Sequence, residues 1–411
     1  MSTDAAGWSR RGALAGSAAL ALGGLAACVG RRPTGATASV DPRGLPLGAV
    51  RVRLPHHDGP APLEVVVDGE RRRLTRGPSG VLLDGRIAPL QRLEAGRELR
   101  LRGELHRGSL EVVPTAGGLG AYLELDLETY VAGVVAAELS LWSARPAELE
   151  AQAIAARSYA TATLAQRSAL GPRASLEAGT QDQAYRGSYE PADSAGARAA
   201  GARLEAAIAA TRGVVLELRG RPLAARYSAS CGGRTSDLAA VFPAASDRSV
   251  GLVGTTCPAC AERAAAEAAA GRPAAPRPLG WEVTFSPQEL RSAGLALGLP
   301  GAPTSLEPEA DAGGRWTTVR VQGAGGSTRT VPADALRAAL GRSRMKSTLV
   351  THAWPHVGRP ITSGLLLRGL GRGHGVGLCQ EGARDLAGWG WSSERILGTY
   401  YRGAALRRLQ A

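Results

Sequence analysis

The sequence contains little lysine and few aromatic side chains. Only Lys346 among its 49 Lys and Arg residues is a lysine, and Phe, Trp and Tyr together make up 4% of the chain. So few rings leave little surface on which bases could stack, which argues against a nucleic-acid partner. Long apolar runs are also missing after the N-terminus, where no stretch approaches the roughly 18 apolar residues of a membrane-spanning helix. The sequence therefore excludes a polytopic membrane protein.

The overall amino-acid composition is typical of a globular protein. The chain has 411 residues, of which 44% are hydrophobic and 21% charged, and its net charge is +13 at pH 7. At roughly 150 residues per domain, this length predicts two or three domains with a substantial core. Extensive disorder is excluded, because enough apolar surface is available to bury.

The N-terminus has the pattern of an export signal. The pair Arg10-Arg11 precedes a short apolar run, residues 12–25, and then Ala26-Ala27-Cys28. Paired arginines before such a run are typical of twin-arginine signals, and residues 25–28 resemble a bacterial lipobox. We interpret residues 1–28 as an export signal whose Cys28 receives a lipid. The protein is therefore expected in the cell envelope or periplasm, held at a membrane only by that lipid. Its positive charge suits anionic envelope polymers there.

The remaining cysteines are Cys231, Cys257, Cys260 and Cys379. Four cysteines in an oxidising compartment predict two disulfides, with three connectivities open. Alternatively, Cys257-Pro-Ala-Cys260 together with Cys231 binds a zinc ion, since this spacing is common among zinc ligands. A twin-arginine substrate folds before export, so metal insertion stays open. No other cofactor is expected.

The periodicity along the chain predicts an α+β fold. Residues 29–46 are rich in Pro, Gly and Thr and are interpreted as a flexible tether. Residues 47–120 alternate as strands do, which predicts a small β-rich N-terminal subdomain with Asp-Gly hairpin turns. Residues 121–404 predict a mixed helix and strand catalytic body, interrupted by surface insertions near 261–280 and 302–314.

A change of hydrophobic period at Asp126 marks the first predicted helix. Apolar residues recur on one helical face together with Glu138, and Asp126 can cap the first turn. A second helix is expected from Pro146 to about Gln166. Because Glu138 shares the apolar face, its carboxyl is expected to lie against apolar material, which disfavours the charged form and suits a general acid. The alternative is that Glu138 ends the helix and reaches solvent.

Arg157, on the second helix, is the second candidate. If the two helices pair as a hairpin, its guanidinium can face the same cleft as Glu138. There it would bind a substrate carboxylate or hold Glu138 itself. The alternative is a surface arginine, which is the commoner place for this residue.

A tight turn after a strand contains Ser228, Ser230, Gly232 and Gly233. Glycines let backbone N–H groups approach a ligand and the hydroxyls add hydrogen bonds, so we expect the turn to bind substrate. A plain glycine turn is the alternative. Cys231 in the same turn could act as a nucleophile with His374 as its base, if it is not in a disulfide.

A glycine-rich segment, residues 371–377, precedes a predicted helix. It lacks the spacing of the dinucleotide fingerprint and the Lys-Ser/Thr pair of a P-loop. We interpret the glycines as allowing His374 and Gln380 to approach a ligand closely.

Three parts of the sequence, taken in order, carry a family resemblance. They are Asp126–Glu138 with Ala151–Ala160, then Gln181–Gly187 and Thr211–Leu216 leading to Ser230–Thr235, and finally Gly373–Ala383 with Ile396–Tyr401. Together they resemble the stage II sporulation protein D family, which includes the amidase-enhancer LytB proteins.

The resemblance implies a peptidoglycan lytic transglycosylase that acts on glycan strands lacking stem peptides. It implies that Glu138 is the acid-base residue and Arg157 an active-site neighbour. The serine-glycine turn and the segment with His374 and Gln380 would complete the cleft. The alternative is a non-catalytic peptidoglycan-binding protein that enhances a cell-wall amidase, which would then be a protein partner.

Overall fold

Strands and helices are mixed along the chain, which has an α+β fold, as predicted. The computed structural model describes residues 48–88, 91–94, 98–169, 174–179, 181–243, 252–271 and 277–409. The predicted export signal with its Cys28 and the predicted tether therefore lie outside the described residues. None of the described helices is both long and apolar enough to cross a bilayer.

The N-terminal part consists of strands. They are β1 (Ala49–Arg53), β2 (Leu63–Val67), β3 (Glu70–Arg76), β4 (Val81–Leu83), β5 (Arg86–Ala88), β6 (Gln91–Glu94), β7 (Leu99–Leu101), β8 (Glu104–His106), β9 (Ser109–Thr115) and β10 (Gly118–Asp126). One sheet has the order β5-β4-β3-β2-β7-β8, and the second has the order β11-β1-β10-β9-β6, with β11 at Leu176–Glu177. Because β11 comes from the later part of the chain, the two parts share a sheet.

Asp68-Gly69 and Asp84-Gly85 form the two predicted hairpin turns. Their φ angles are +47° and +88° in the first turn, and +49° and +84° in the second. Two successive positive φ angles give the turn whose twist matches antiparallel strands. These dipeptides join β2 to β3 and β4 to β5 in register.

The first two helices follow the prediction. β10 leads directly into α1 (Leu127–Glu138), where the Thr129 N–H donates to Asp126 Oδ1 at 3.0 Å and so caps the first turn. α2 (Pro146–Ser168) begins at a proline, which loses no helical hydrogen bond at that position. The apolar face of α1 packs into the core with α2 and the second sheet.

The remaining elements are a mixture of helices and strands. They are α3 (Ala195–Ala210), β12 (Val214–Leu218), β13 (Arg221–Pro222), β14 (Tyr227–Ser228), α4 (Leu238–Val241), α5 (Pro258–Ala270), β15 (Gly280–Phe285), α6 (Pro287–Ala296), β16 (Pro303–Ala310), β17 (Trp316–Gly323), β18 (Thr328–Pro332), α7 (Ala333–Ala339), β19 (Val350–Trp354), β20 (Leu365–Leu370), β21 (Leu378–Cys379), α8 (Gln380–Gly388), α9 (Ser393–Tyr400) and β22 (Ala405–Arg408). The short parallel pair β14 and β21 matters most for the site, because it aligns Tyr227 with Leu378 and Ser228 with Cys379.

The described parts of the two expected insertions contain regular structure. Pro303–Ala310 forms β16, which pairs with β17, and Leu306 is buried in a core with Val319 and Leu336. Glu309 and Ala310 at the end of this strand are exposed. In the segment near 261–280, the residues up to Ala270 belong to α5, whose first turn buries Cys260, and residues 272–276 lie outside the described residues. The interpretation of both segments as insertions stays a prediction.

Candidate functional site

A cleft of about 690 Å³ lies where the N-terminal strands, α1, α2 and the C-terminal segments meet. Glu138, Ser228, His374 and Gln380 line it, as do several residues that sequence analysis did not single out. Glu138 and Gln380 are 242 positions apart in the sequence and are nevertheless hydrogen-bonded. The structure therefore brings together one predicted residue from each of three distant segments, plus Gln380.

Glu138 is the last residue of α1 and presents its carboxylate to the cleft. Oε1 accepts a hydrogen bond from the Ala184 N–H at 3.0 Å, and Oε2 accepts one from Gln380 Nε2 at 3.2 Å. The Tyr227 hydroxyl lies 3.5 Å from Oε1. The side chain is half-buried. Its surroundings are thus a ring of neutral donors, and the expected apolar environment was wrong.

Tyr227 is held in place by a second layer of hydrogen bonds. Gln183 Nε2 donates to the Tyr227 oxygen at 2.9 Å, and the Tyr130 hydroxyl donates to Gln183 Oε1 at 3.2 Å. Burial raises the pKa of Tyr227 well above its ordinary value, so the hydroxyl keeps its proton. Because its oxygen already accepts from Gln183, the hydroxyl proton can be directed at Glu138.

Gln380 is the first residue of α8, and its side chain joins two elements of the cleft. Nε2 donates to Glu138 and also lies 3.5 Å from Oε1 of the buried Gln152 on α2. One amide nitrogen therefore connects the end of α1 to the middle of α2. This contact fixes the orientation of the Glu138 carboxylate.

His374 lies in the cleft as a neutral ring. Its Nδ1 accepts a hydrogen bond from the Val376 N–H at 3.0 Å, which leaves the proton of the neutral ring on Nε2. Burial and, to a smaller extent, the charge of the Arg226 guanidinium lower the pKa of His374 to about 3. The imidazole is therefore a hydrogen-bond donor through Nε2, and the structure gives it no thiolate to activate, since Cys231 is fully buried.

Arg226 supplies positive charge to the cleft. Its guanidinium lies 4.8 Å from the centre of the Phe242 ring and 5.7 Å from that of Tyr159. Nε has no hydrogen-bond partner among the described residues. A guanidinium held between two rings is well placed to pair with an anionic group of a ligand.

The acidic residues of the cleft differ in their partners. Asp182 pairs with Arg167 at 2.6 Å, and Asp334 pairs with Arg337 at 3.1 Å. Glu104 Oε2 lies 3.2 Å from His56 Nε2 and 3.4 Å from His57 Nε2. In the part of the chain that the structure describes, Glu138 is the acidic residue of the cleft that pairs with neither an arginine nor a histidine.

Arg157 does not line the cleft. Its side chain is completely buried, with Nε 3.0 Å from Glu128 Oε1 and Nη2 2.6 Å from Glu128 Oε2. Nη1 donates to the Val214 carbonyl at 3.0 Å. This bidentate pair locks α1 onto α2 and the start of β12, so the expectation of substrate contact by Arg157, or of a surface position, is corrected.

The serine-glycine turn is divided between two environments. Ser228 lines the cleft, and Gly373 (φ +89°) passes so close that a Cβ there would lie 3.2 Å from the Ser228 Cβ. Ser230 is fully buried away from the lining residues, and a Cβ on Gly232 would lie 2.8 Å from Leu349 Cδ2. Gly233 accepts a hydrogen bond from the Cys257 N–H at 3.0 Å. Ser230, Gly232 and Gly233 therefore serve packing, and the cleft contacts expected of these three residues are not observed.

The four cysteines that follow Cys28 in the sequence lie together. We call Cys231, Cys257, Cys260 and Cys379 the cysteine cluster. All four are buried free thiols, and their sulfur atoms lie within 4.8 Å of one another. A single cluster of four favours the metal alternative over two disulfides. His56, His57 and Glu104 also offer ligand atoms within 4.8 Å of one another, but their atoms are already engaged with each other at the cleft edge.

Sequence analysis missed Tyr227, Arg226, Gln183 and Gln152. Gln183 lies in one of the segments that carried the family resemblance, which was a usable signal. Arg226 and Tyr227 directly precede Ser228, but nothing in their spacing distinguishes them from strand residues. Their proximity to Glu138 depends on contacts across the fold.

Comparisons with known proteins relate part of the chain to a family. Residues 115–217 match the profile of the family described as stage II sporulation protein, SpoIID. The match includes Glu138, α2 and Gln183. A protein of Brachyspira hyodysenteriae described as uncharacterized is 28% identical over 310 residues, which cover 74% of this chain and 72% of that protein. Residues 115–217 therefore form a segment similar to the SpoIID domain, which supports the resemblance to the stage II sporulation protein D family.

Proposed function

We propose that this protein is a peptidoglycan lytic transglycosylase that cleaves glycan strands lacking stem peptides and leaves 1,6-anhydromuramyl ends. The observation that carries the proposal is that Glu138 pairs with neither an arginine nor a histidine, unlike Asp182, Asp334 and Glu104, the other described acidic residues of the cleft. A carboxyl without a cationic partner can hold and exchange a proton without breaking an ion pair.

One carboxyl is sufficient for this reaction. Glu138 protonates the glycosidic oxygen as the bond from that oxygen to C1 of the muramyl residue breaks. It then accepts the proton of the muramyl 6-hydroxyl as that oxygen bonds to C1 and closes the anhydro ring. Hydrolases need a second carboxylate to activate water or to act as nucleophile. Here the nucleophile belongs to the substrate, and no water is consumed.

The neighbouring donors orient the reacting carboxyl. The Ala184 N–H and Gln380 Nε2 bind different oxygens of Glu138, which fixes the plane of the group. The Tyr227 hydroxyl can add a hydrogen bond when Glu138 is charged, after it has given up its proton. His374 offers its Nε2 proton to a sugar hydroxyl.

We assign to Arg226 the contact with a substrate carboxylate that the sequence predicted for Arg157. Muramic acid carries a lactyl carboxylate, which is exposed when the stem peptide is absent. Arg226 lies in the cleft, and its guanidinium pairs with no carboxylate in the described part of the chain. We expect it to select strands with free lactyl groups.

The test is a product assay with purified protein and peptide-free glycan strands. Wild type should release anhydromuramyl ends detectable by mass spectrometry, and Glu138→Gln should release them at least about 100-fold more slowly. Glu205→Gln, on the exposed face of α3, is the matched control and should behave as wild type. Strand binding without anhydro products from wild type would overturn the proposal and support the amidase-enhancer alternative.

Attachment to the envelope is a separate proposal. We propose that the chain is exported and lipid-anchored through Cys28, on the sequence pattern alone. Radiolabelled palmitate should enter the wild-type protein in its host and should not enter Cys28→Ser. Labelling of both proteins, or of neither, would contradict this anchorage.

A further inference from the structure

The cysteine cluster lies directly beside the cleft without being part of it. Cys379 immediately precedes Gln380, and Cys231 follows Ser228 by three positions. All four side chains are buried. We infer that the cysteine cluster binds one structural zinc ion through its four thiolates.

The sulfur positions suit tetrahedral coordination. Zinc–sulfur bonds of about 2.3 Å place neighbouring sulfurs of a tetrahedron about 3.8 Å apart. The Cys260 and Cys379 sulfurs are 3.6 Å apart, and all four lie within 4.8 Å of one another. A disulfide would require a sulfur–sulfur distance of about 2.05 Å and would bring the sulfurs together only in pairs. The four sulfurs therefore lie close to the positions that they would occupy around a bound zinc ion.

The ligands come from three segments with suitable backbones. Cys257 and Cys260 form a Cys-x-x-Cys pair at the start of α5, and Cys379 caps α8. Two sulfurs at one helix start gain from the unpaired N–H groups of the first turn, which stabilise thiolates. Cys231 comes from the tight turn after β14. One ion would thus tie together α5, α8 and the turn that carries Ser228.

Hydrogen bonds around the sulfurs complete the site. The Cys231 N–H donates to Cys379 Sγ at 3.2 Å and the Gly382 N–H donates to the same sulfur at 3.3 Å. The Tyr400 hydroxyl lies 3.1 Å from Cys257 Sγ. A Cβ on Gly382 would lie 2.5 Å from Cys257 Sγ, so glycine is needed at this position. Such outer hydrogen bonds orient metal ligands.

A buried cation next to the cluster is an independent indication. Arg315 is 1% exposed; its Nη2 donates to the Cys231 carbonyl at 2.9 Å, and its Nε donates to Ser236 Oγ at 3.0 Å. Its Nη1 has no partner among the described residues. A buried charge without a counter-charge is costly. Zinc with four thiolates has an excess of two negative charges, which would compensate the buried Arg315 charge together with the nearby Asp311.

The coordination indicates a structural role. Four protein sulfurs leave no position open for water or substrate. The ion would instead fix Cys379, and with it the first turn of α8, where Gln380 donates to Glu138. The inference does not depend on the proposed activity, because zinc content is measured without substrate.

The test uses the full chain purified without reducing agent. Elemental analysis should give about one zinc per chain, and intact mass after denaturation should correspond to free thiols. Cobalt(II) in place of zinc should give the visible bands of a tetrahedral thiolate site in wild-type protein. A metal-free chain, or a mass lower by four hydrogens, which means two disulfides, would overturn the inference.

Cysteine variants provide a second test of zinc binding. Cys260→Ser should lose the zinc, whereas Cys28→Ser, which removes a cysteine outside the cluster, should retain it. If Cys260→Ser does not fold, the wild-type metal content and cobalt spectrum still decide the question. Catalytic failure of Glu138→Gln with normal zinc content would separate this site from the proposed active site.

Discussion

Glu128 and Glu138 lie on the same helix, ten positions apart, and have opposite environments. Glu128 is buried and forms a bidentate ion pair with Arg157, while Glu138 is half-buried and accepts hydrogen bonds from neutral groups in the cleft. The first carboxylate is held in an ion pair by a buried cation. The second has partners that orient it without a full opposite charge. The comparison teaches that the partner, more than the position on an apolar stripe, decides which carboxyl is available for chemistry.

The largest expected effect comes from removing the acid of the cleft. Glu138→Gln should lower the rate of anhydromuramyl formation by about 10²–10⁴-fold, the usual contribution of a general acid-base group. Its melting temperature should stay close to that of wild type, because the amide can keep one oxygen as an acceptor. Rate assays and thermal denaturation on the same preparation measure both. A large loss of stability without loss of rate would reverse the comparison.

Glu128→Gln, in contrast to Glu138→Gln, should mainly lower the stability of the protein. Removal of one partner leaves the buried Arg157 charge uncompensated and should reduce the free energy of unfolding by about 3–5 kcal/mol. Denaturant unfolding measures the change, with Glu205→Gln as the exposed control. A loss below 1 kcal/mol would show that this ion pair does not hold α1 in place.

Acidification should destabilise the protein through His106, which is fully buried beside His57, Glu104 and Tyr185. Burial lowers the pKa of His106 to about 4, below the value of about 6.5 in an unfolded chain. Between these values only the unfolded chain binds the proton, so stability should fall as pH falls from about 6.5 to 4. The slope from this group is about 1.4 kcal/mol per pH unit.

His106→Gln tests the assignment. Unfolding measured from pH 7 to pH 4 should show a shallower loss of stability in the variant than in wild type. His374, whose pKa is lowered in the same direction, should still contribute to the remaining slope. Equal slopes in the two proteins would show that His106 does not titrate in this window.

The smallest effects are expected from the groups that orient Glu138. Gln380→Ala removes one neutral hydrogen bond, worth about 1 kcal/mol, and should lower the rate about fivefold. Tyr227→Phe should have a smaller effect, since its hydroxyl is 3.5 Å from the carboxylate. Both rates come from the glycan assay. An effect of Tyr227→Phe as large as that of Glu138→Gln would instead make Tyr227 a catalytic residue.

Local patterns predicted most of the first half of the fold. The cap at Asp126, the proline at the start of α2 and the two Asp-Gly turns depend on neighbouring residues only, so a short window contains their cause. β16 was missed because its burial depends on pairing with β17, and no local pattern indicates that pairing. Glu138 was identified from its helical position and the family motif, but its partners were not.

The sequence by itself determined which chemical groups are available: a carboxyl at the end of α1, four cysteines, a glycine-rich segment before α8 and an N-terminal export pattern. Tertiary structure decided their pairing. It gave Arg157 to Glu128 instead of Glu138, placed Arg226 in the cleft and gathered the four sulfurs into one cluster. The physical reason is that hydrogen bonds and ion pairs act over about 3 Å, whereas the groups they join here are up to 242 positions apart in the chain.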